Sequence, residues 1–214
     1  MKPKTAEPRL DQRRSRTRAA LMRAGQSLFA QRSVEGVTID DIVLAADVAK
    51  GSFYNHFPDK EGLAREIAAQ VRGFAEAGVT AANAAVEDPA ARVARALCVF
   101  VLDAVEHPER NRAQRRLFTG ATLIDAPMNR GVRRDVEAGL AAGRFVGVAP
   151  ETAVLLVMGI VNIAVARVLE PHAPASAAAV SRELAFGLLR GLGVATAEAE
   201  AVAAAACEGI FGGP

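Results

Sequence analysis

The chain has 214 residues, of which 51% are hydrophobic and only 5% aromatic, and its formal net charge is +2. Ala, Leu, Val, Glu and Arg dominate, which argues against a β-sandwich or barrel and for a helical protein. Two cysteines, Cys98 and Cys207, are too few and too isolated for a disulfide framework or a thiolate metal site. Residues 1–60 hold 11 Lys or Arg against 7 Asp or Glu, whereas the remainder holds 15 against 17, so the positive charge is concentrated near the N-terminus.

Residues 1–10 contain two prolines and several charges, and we expect them to be disordered. They also lack the apolar run of a signal peptide, so we expect a cytoplasmic protein. A helix is predicted over 11–31, where apolar residues recur at helical spacing. Its many arginines favour contact with a polyanion, with a solvated tail as the alternative. The apolar stripe of this helix consists of Leu21, Ala24, Leu28 and Phe29.

Residues 38–60 have the pattern of two short helices joined by a tight turn. Thr38 is placed to cap the first helix, and Asp41, three residues later, resembles the second member of a capping box. The turn contains Asp47, a residue that tolerates the left-handed conformation commonly needed at such a bend. The second helix is predicted over 49–56. This is the layout of a helix-turn-helix, whose second helix enters the major groove of DNA.

The remainder of the chain has helical signals throughout and no strand pattern with period two. Pro58 ends the preceding segment, and Asp59 is placed to cap a long helix from Lys60 to about Thr80. We therefore predict an all-α fold with two domains, at 11–58 and 59–214. Breaks at Pro and Gly predict six further helices, at 89–106, 109–119, 128–142, 150–169, 175–191 and 195–208.

The segment from about Arg16 to Leu63, roughly a quarter of the chain, resembles the TetR family of bacterial transcriptional regulators. Two residues depart from the family pattern. Asp47 stands where Gly is usual, and Ala49 replaces the usual Ser or Thr cap, a loss of roughly 1 kcal/mol from a short helix. The resemblance implies an N-terminal helix-turn-helix domain and a C-terminal helical domain that binds an effector and dimerises. It is carried by Phe29, Gly36-Val37-Thr38, Asp41-Ile42, Ala45-Ala46, Lys50-Gly51-Ser52-Phe53-Tyr54-Asn55-His56-Phe57 and Lys60-Glu61-Gly62-Leu63.

The resemblance assigns DNA-backbone contacts to Tyr54, His56 and Lys60. An outward Tyr54 hydroxyl can donate to a phosphate oxygen, although the ring could instead simply cover the surface. Lys60 at a helix start opposes the helix dipole, and contact with an anion would explain that placement. Thr38 can cap its helix while the N–H groups of the same helix end face a phosphate. Contacts with base edges are expected from Lys50, Gly51, Ser52 and Asn55.

Ala153–Val168 is the most apolar segment, but it is shorter than a membrane span and carries Asn162 and Arg167. A helix at 150–169 with no polar face must be buried on several sides. The resemblance implies that this helix and the one at 175–191 form a four-helix bundle with a second copy of the chain. An internal core helix is the alternative.

The resemblance places an effector pocket among the helices between residues 60 and 142. Arg116 is the most specific candidate, because an inward guanidinium could hold a carboxylate, whereas a solvated position is the alternative. The apolar composition of this region suggests a small, mostly hydrophobic effector. The candidate lining residues, each of which could instead be plain core, are Phe74, Cys98, Leu102, Arg116, Phe118, Leu123, Met128 and Asn162.

Together these patterns predict a homodimeric repressor that binds a palindromic double-stranded DNA operator and is released by a small molecule, with no cofactor and no metal. Activation in place of repression stays open. An enzyme would need convergent titratable groups, whereas His56, His107 and His172 are scattered. A ligand-binding or architectural protein that has lost specific DNA binding is the other alternative, and the intact Lys50 and Tyr54 argue against it.

Overall fold

The computed structural model describes residues 7–117, 129–170 and 176–212, and within these ranges its secondary structure is helical. The all-α prediction is confirmed. In chain order the helices are α1 (Glu7–Gln31), α2 (Ile39–Ala45), α3 (Lys50–Tyr54), α4 (Lys60–Ala82), α5 (Pro89–Glu106), α6 (Pro108–Leu117), α7 (Arg130–Ala141), α8 (Pro150–Val168), α9 (Ala177–Gly191) and α10 (Thr196–Phe211).

Several helix boundaries differ from the prediction by two to four residues. Helix α1 begins at Glu7, inside the segment for which the sequence predicts disorder. The described residues 7–10 thus add about one turn to the helix predicted over 11–31. Helix α3 ends at Tyr54, two residues before the predicted end, because the N–H groups of His56 and Phe57 both donate to the carbonyl of Phe53 and close the helix.

The first compact unit contains the described residues 7–71 and 109–117. Helices α1, α2 and α3 and the first half of α4 enclose one apolar core, to which α6 adds Ala113. Full burial of one such large apolar side chain contributes about 1.5–3 kcal/mol. The largest fully buried residues of this core are Leu21, Phe29, Ile42, Phe53, Leu63 and Ile67.

The compact units do not divide the chain where the predicted domains 11–58 and 59–214 do. The first unit extends along α4 to Val71 and also takes most of α6. The physical reason is that Leu63, Ile67 and Val71 recur at helical spacing on α4 and bury their side chains in the same core as Phe29. Helix α4 therefore contributes residues to both units.

The second unit contains the described residues 72–108, 129–170 and 176–212. Helix α5 is its central element and packs against α7, α8, α9 and α10. Asp88 caps α5 by accepting from the N–H groups of Ala90 and Ala91, and Pro89 occupies the first turn. The Arg144 guanidinium donates to both carboxylate oxygens of Asp88, at 2.7 and 3.1 Å, and lowers the pKa of that carboxyl.

Helix α8 is long and apolar enough to cross a membrane by length and composition, and 33% of its most apolar window is buried. One such helix is weak support for a span, since a core or interface helix has the same composition. Its inner side packs in the core of the second unit through Val154, Val157 and Met158. Its opposite side leaves Leu155 and Ile163 exposed, the latter by 61%.

Candidate DNA-binding surface

The start of α2 is held by the capping box that the sequence predicts. The N–H of Asp41 donates to Thr38 Oγ1 at 3.1 Å, and the N–H of Thr38 donates to Asp41 Oδ2 at 3.0 Å. Hydrogen bonds to the carboxyl from the backbone N–H of Thr38 and, next, from its side chain lower the pKa of Asp41, with Arg32 adding a smaller electrostatic effect. Thr38 is exposed at this helix end, as its proposed position beside a phosphate requires.

The turn between α2 and α3 is made by Asp47, whose φ is +53°. The sequence-based expectation of a left-handed residue here is confirmed. After this bend, the N–H of Val48 donates to the carbonyl of Val43 at 3.0 Å and closes the turn. Ala49 has no side-chain acceptor for the start of α3, which is consistent with the short length of that helix.

Helix α3 is anchored by one aromatic residue and presents the next to solvent. Phe53 is fully buried, whereas Tyr54 is 54% exposed, and the two rings meet edge to face with centroids 5.6 Å apart. The buried ring fixes the rotation of a helix only five residues long. Lys50, Gly51 and Asn55 consequently lie exposed on the same short segment, and Ser52 is half-buried.

Lys50 is not a free cation in this structure. Its ammonium lies 2.8 Å from Asp40 Oδ1 and 3.0 Å from Asp40 Oδ2, so it pairs with both oxygens of one carboxylate. This hydrogen bond is the main reason that the pKa of Lys50 is raised. The part played by Asp40 is not predicted from the sequence. The available signal was an acidic residue in the first turn of α2 facing a lysine at the start of α3.

Lys60 has partners within the first unit. Its half-buried ammonium donates to the carbonyls of Val37 at 3.0 Å and of Glu35 at 3.3 Å, in the loop before α2. These carbonyls offset the unfavourable position of a cation at a helix start, which the sequence analysis attributed to an anion. A contact between Lys60 and DNA stays a prediction, because the same ammonium has a structural role.

A second basic feature lies where α1 passes the end of α3. Arg18 forms an ion pair with Glu66 and places its guanidinium over the Phe57 ring, 5.4 Å from the centroid. Burial and then the charges of Arg14 and Arg18 lower the pKa of His56, which favours the neutral imidazole. The residues that line this open cleft are Asp11, Arg14, Ser15, Arg18, Asn55 and His56.

The predicted effector-binding residues have dissimilar surroundings. Cys98 is fully buried and its pKa is raised to about 12 by burial, Leu102 is half-buried, and Phe74 is 53% exposed. Asn162 is exposed and donates to the carbonyl of Met158. Arg116 is exposed and belongs to the first unit. Three candidates lie outside the described residues, namely Phe118, Leu123 and Met128.

The described ranges contain no group of three His, Cys, Asp or Glu that could hold a metal ion. The eight predicted DNA-binding residues, in contrast, all lie in the first unit, between the start of α2 and the start of α4. This fold and this exposed polar surface define a helix-turn-helix protein with a second helical unit.

Comparison with known proteins finds a family match for the N-terminal unit. Residues 21–67 match the family model described as bacterial regulatory proteins, tetR family. Over these residues, which include the motif around Lys50 and Tyr54, the chain matches the helix-turn-helix region of that family.

Two curated relatives match the same region. The repressor DhaR from Mycobacterium sp. (strain GP1) is 41% identical over 54 residues, which are 25% of this chain and 27% of that protein. The repressor KstR2 from Rhodococcus jostii (strain RHA1) is 39% identical over 61 residues, 28% of each chain. The match thus spans little more than a quarter of these relatives.

A solved structure is similar over most of the chain. RolR in complex with resorcinol is 27% identical, with a TM-score of 0.55, and the similarity covers 90% of this chain and 95% of that one. The likeness therefore includes the second unit as well as the helix-turn-helix.

Proposed function

We propose that this protein is a transcriptional repressor that binds a palindromic operator as a homodimer and loses DNA affinity when a small molecule binds its second unit. The observation that carries the proposal is α3, which buries Phe53 and exposes Lys50, Tyr54 and Asn55 on a TetR-family head. A rigid short helix with outward donors and acceptors is suited to base edges in the major groove. No catalysis, metal or cofactor is part of this function, and its place of action is the cytoplasm, where operator DNA lies.

The side chains divide between base edges and phosphates. A lysine at position 50 can donate to guanine O6 and N7, and Asn55 has the amide that pairs with adenine. Gly51 is open on its outer side, since a Cβ built on it would meet no described atom within 4 Å, so the backbone can approach the bases closely. Ser52 is assigned to base edges as well, whereas Tyr54, His56, Lys60 and the helix end at Thr38 are assigned to phosphate oxygens.

Dimerisation is assigned to the outer faces of α8 and α9. Leu155, Gly159 and Ile163 are four residues apart along α8 and are all exposed in the single chain. A Cβ built on Gly159, or on Gly187 of α9, would meet no described atom within 4 Å, which leaves room for a second helix pair. Exposed apolar residues beside small ones form the kind of surface that two identical copies can bury against each other.

The effector is assigned to the second unit. RolR, whose similarity includes this unit, binds resorcinol, which supports a small and mostly apolar effector for this chain. Helix α4 contributes residues to both units, so a shift of its second half on ligand binding would move its first half as well. Half-sites lie about 34 Å apart, or a multiple of that, and a change of a few ångströms in head separation would prevent simultaneous docking.

The test is selection of duplexes from a random pool, followed by binding of the selected duplex to Lys50→Ala and Tyr54→Phe variants. We expect a palindrome, and a loss of affinity of about tenfold or more for Lys50→Ala. Arg133→Ala removes the same charge from the second unit and is expected to bind like the wild type. A wild-type protein that enriches no duplex, or unchanged affinity in both head variants, contradicts the proposal.

A further inference from the structure

The Asp40–Lys50 pair joins the start of α2 to the start of α3, and helix capping does not account for it. Asp41 already occupies the capping box with Thr38. Asp40 could stabilise the helix dipole from its position without contacting Lys50, yet both of its oxygens lie within 3.0 Å of the ammonium. Both side chains are exposed, Lys50 by 53% and Asp40 by 70%. Exposed ion pairs add little to stability, so the consequence of this pair lies at the surface itself.

The pair determines what Lys50 offers to DNA. An unpaired lysine on a DNA-facing helix is attracted to any phosphate, and each phosphate neutralised adds sequence-independent affinity. In this structure the carboxylate cancels that charge locally and fixes the direction of the ammonium. Asp40 is also itself repelled by phosphates, because its outer surface remains exposed.

We propose that Asp40 is a specificity-determining residue that holds Lys50 away from the phosphate backbone. Lys50 then contributes to binding where a base presents acceptors to the held ammonium, as guanine does with O6 and N7. Specificity obtained by weakening the wrong complexes is a general device of selective interfaces. This inference depends on the proposed DNA-binding function and assigns a role within it.

The experiment compares Asp40→Asn with Asp47→Asn. Both variants remove one negative charge from the same unit. Asp47 is exposed at the turn, and asparagine tolerates its left-handed backbone. For each variant, binding of the selected operator and of a scrambled duplex is measured by fluorescence anisotropy between about 50 and 300 mM KCl. Circular dichroism verifies that each variant is folded.

We expect Asp40→Asn to bind the scrambled duplex roughly tenfold more tightly than Asp47→Asn does. Its salt slope should be steeper by about 0.9 for each additional phosphate neutralised, and its preference for the operator should fall. Asp40→Glu, which keeps the charge and can still reach the ammonium, should retain the wild-type preference. In a Lys50→Ala background, Asp40→Asn and Asp47→Asn should behave alike, because the interaction partner is gone.

Equal behaviour of Asp40→Asn and Asp47→Asn in the wild-type background would overturn this inference alone, provided that the wild type has an operator. An excess effect of Asp40→Asn that persists without Lys50 would also overturn it, since Asp40 would then act directly on DNA. A wild-type protein with no preferred duplex would instead overturn the proposed function.

Discussion

The two compact units use their charged residues differently. In the second unit, charged side chains are paired close to the core: Arg92 donates to Asp135 at 3.0 Å and to the carbonyls of Asn83 and Val86, with the Arg92 and Asp135 side chains only 19% and 10% exposed. In the first unit, Lys50 and Tyr54 lie on an exposed helix above a buried aromatic anchor. The Arg92–Asp135 pair thus contributes to packing, whereas Lys50, although paired with Asp40, remains 53% exposed at the surface.

This difference explains why the two kinds of site differ in how clear their sequence signal is. Surface residues with no packing role stand out from a helical pattern, as Tyr54 does beside Phe53. A half-buried arginine such as Arg92 has the same sequence signature as a ligand-binding arginine, because both adjoin apolar residues. The prediction that Arg116 faces an effector depended on that ambiguous signature, and the structure places Arg116 at an exposed position.

The largest expected effect distinguishes Phe53, the buried anchor of α3, from its exposed neighbour Tyr54. Phe53→Ala should lower the free energy of unfolding of the first unit by about 3–5 kcal/mol, because it leaves a cavity in a closed core. Tyr54→Ala should change that free energy little while it weakens operator binding. Chemical denaturation followed by circular dichroism measures the first quantity, and anisotropy measures the second. Equal destabilisation by both variants would mean that the two aromatics do not divide their roles.

Helix α8 has an exposed apolar face, and this face is the proposed dimer interface. Ile163→Lys should weaken dimerisation about a hundredfold or more, since it would place an unpaired charge in an apolar interface. Light scattering on a dilution series measures the dissociation constant. Val105→Lys, at a position 47% exposed on α5, is the matched control. If both variants dimerise like the wild type, α8 is not the interface.

Packing within the second unit is tested by two glycines in helices. A Cβ on Gly139 would lie 2.2 Å from Phe145 ring atoms, so Gly139→Ala should destabilise the protein by about 1–3 kcal/mol through overpacking. A Cβ on Gly187 would meet no described atom within 4 Å, and Gly187→Ala should be neutral or stabilising by up to about 1 kcal/mol in the monomer. Thermal unfolding at low protein concentration measures both. Similar melting temperatures would contradict this description of the core.

The smallest effect concerns pH and the cleft beside α3. The pKa of His56 is lowered by burial and by Arg14 and Arg18, and a nearby phosphate would raise it again. DNA binding should therefore take up protons, and operator affinity should rise a few-fold as pH falls from about 7.5 to 5.5.

The pH dependence of folding stability has the opposite sign to that of DNA binding, so the two measurements check each other. A folded-state pKa below the unfolded value means that the unfolded chain binds more protons, so the His56 contribution to stability is lost as pH falls below about 6.5. His56→Gln should remove the pH dependence of binding, whereas His107→Gln, in the second unit, should retain it. A pH profile unaltered by His56→Gln would exclude this residue from the DNA contact.

Local chemistry was enough to predict much of the first unit. The capping box of Thr38 and Asp41 and the left-handed Asp47 depend on residues within a few positions of each other, and both are present. The contacts of Lys60 with Val37 and Glu35 join residues more than 20 positions apart, and no spacing rule connects them. The extent of the first unit along α4 could not be predicted either, because the spacing of apolar residues on a helix does not show which core buries them.

The two carbonyl bonds of Lys60 also limit which residues can replace it. Replacing Lys60 with a residue that cannot donate would leave the two carbonyls in the loop before α2 without this donor. A reduced operator affinity would then reflect both a less stable start of α2 and any lost phosphate contact. Arginine preserves a cationic donor and is therefore the conservative substitution. Chemical acetylation of the Lys60 amine would both weaken the carbonyl bonds and remove the charge available to a phosphate.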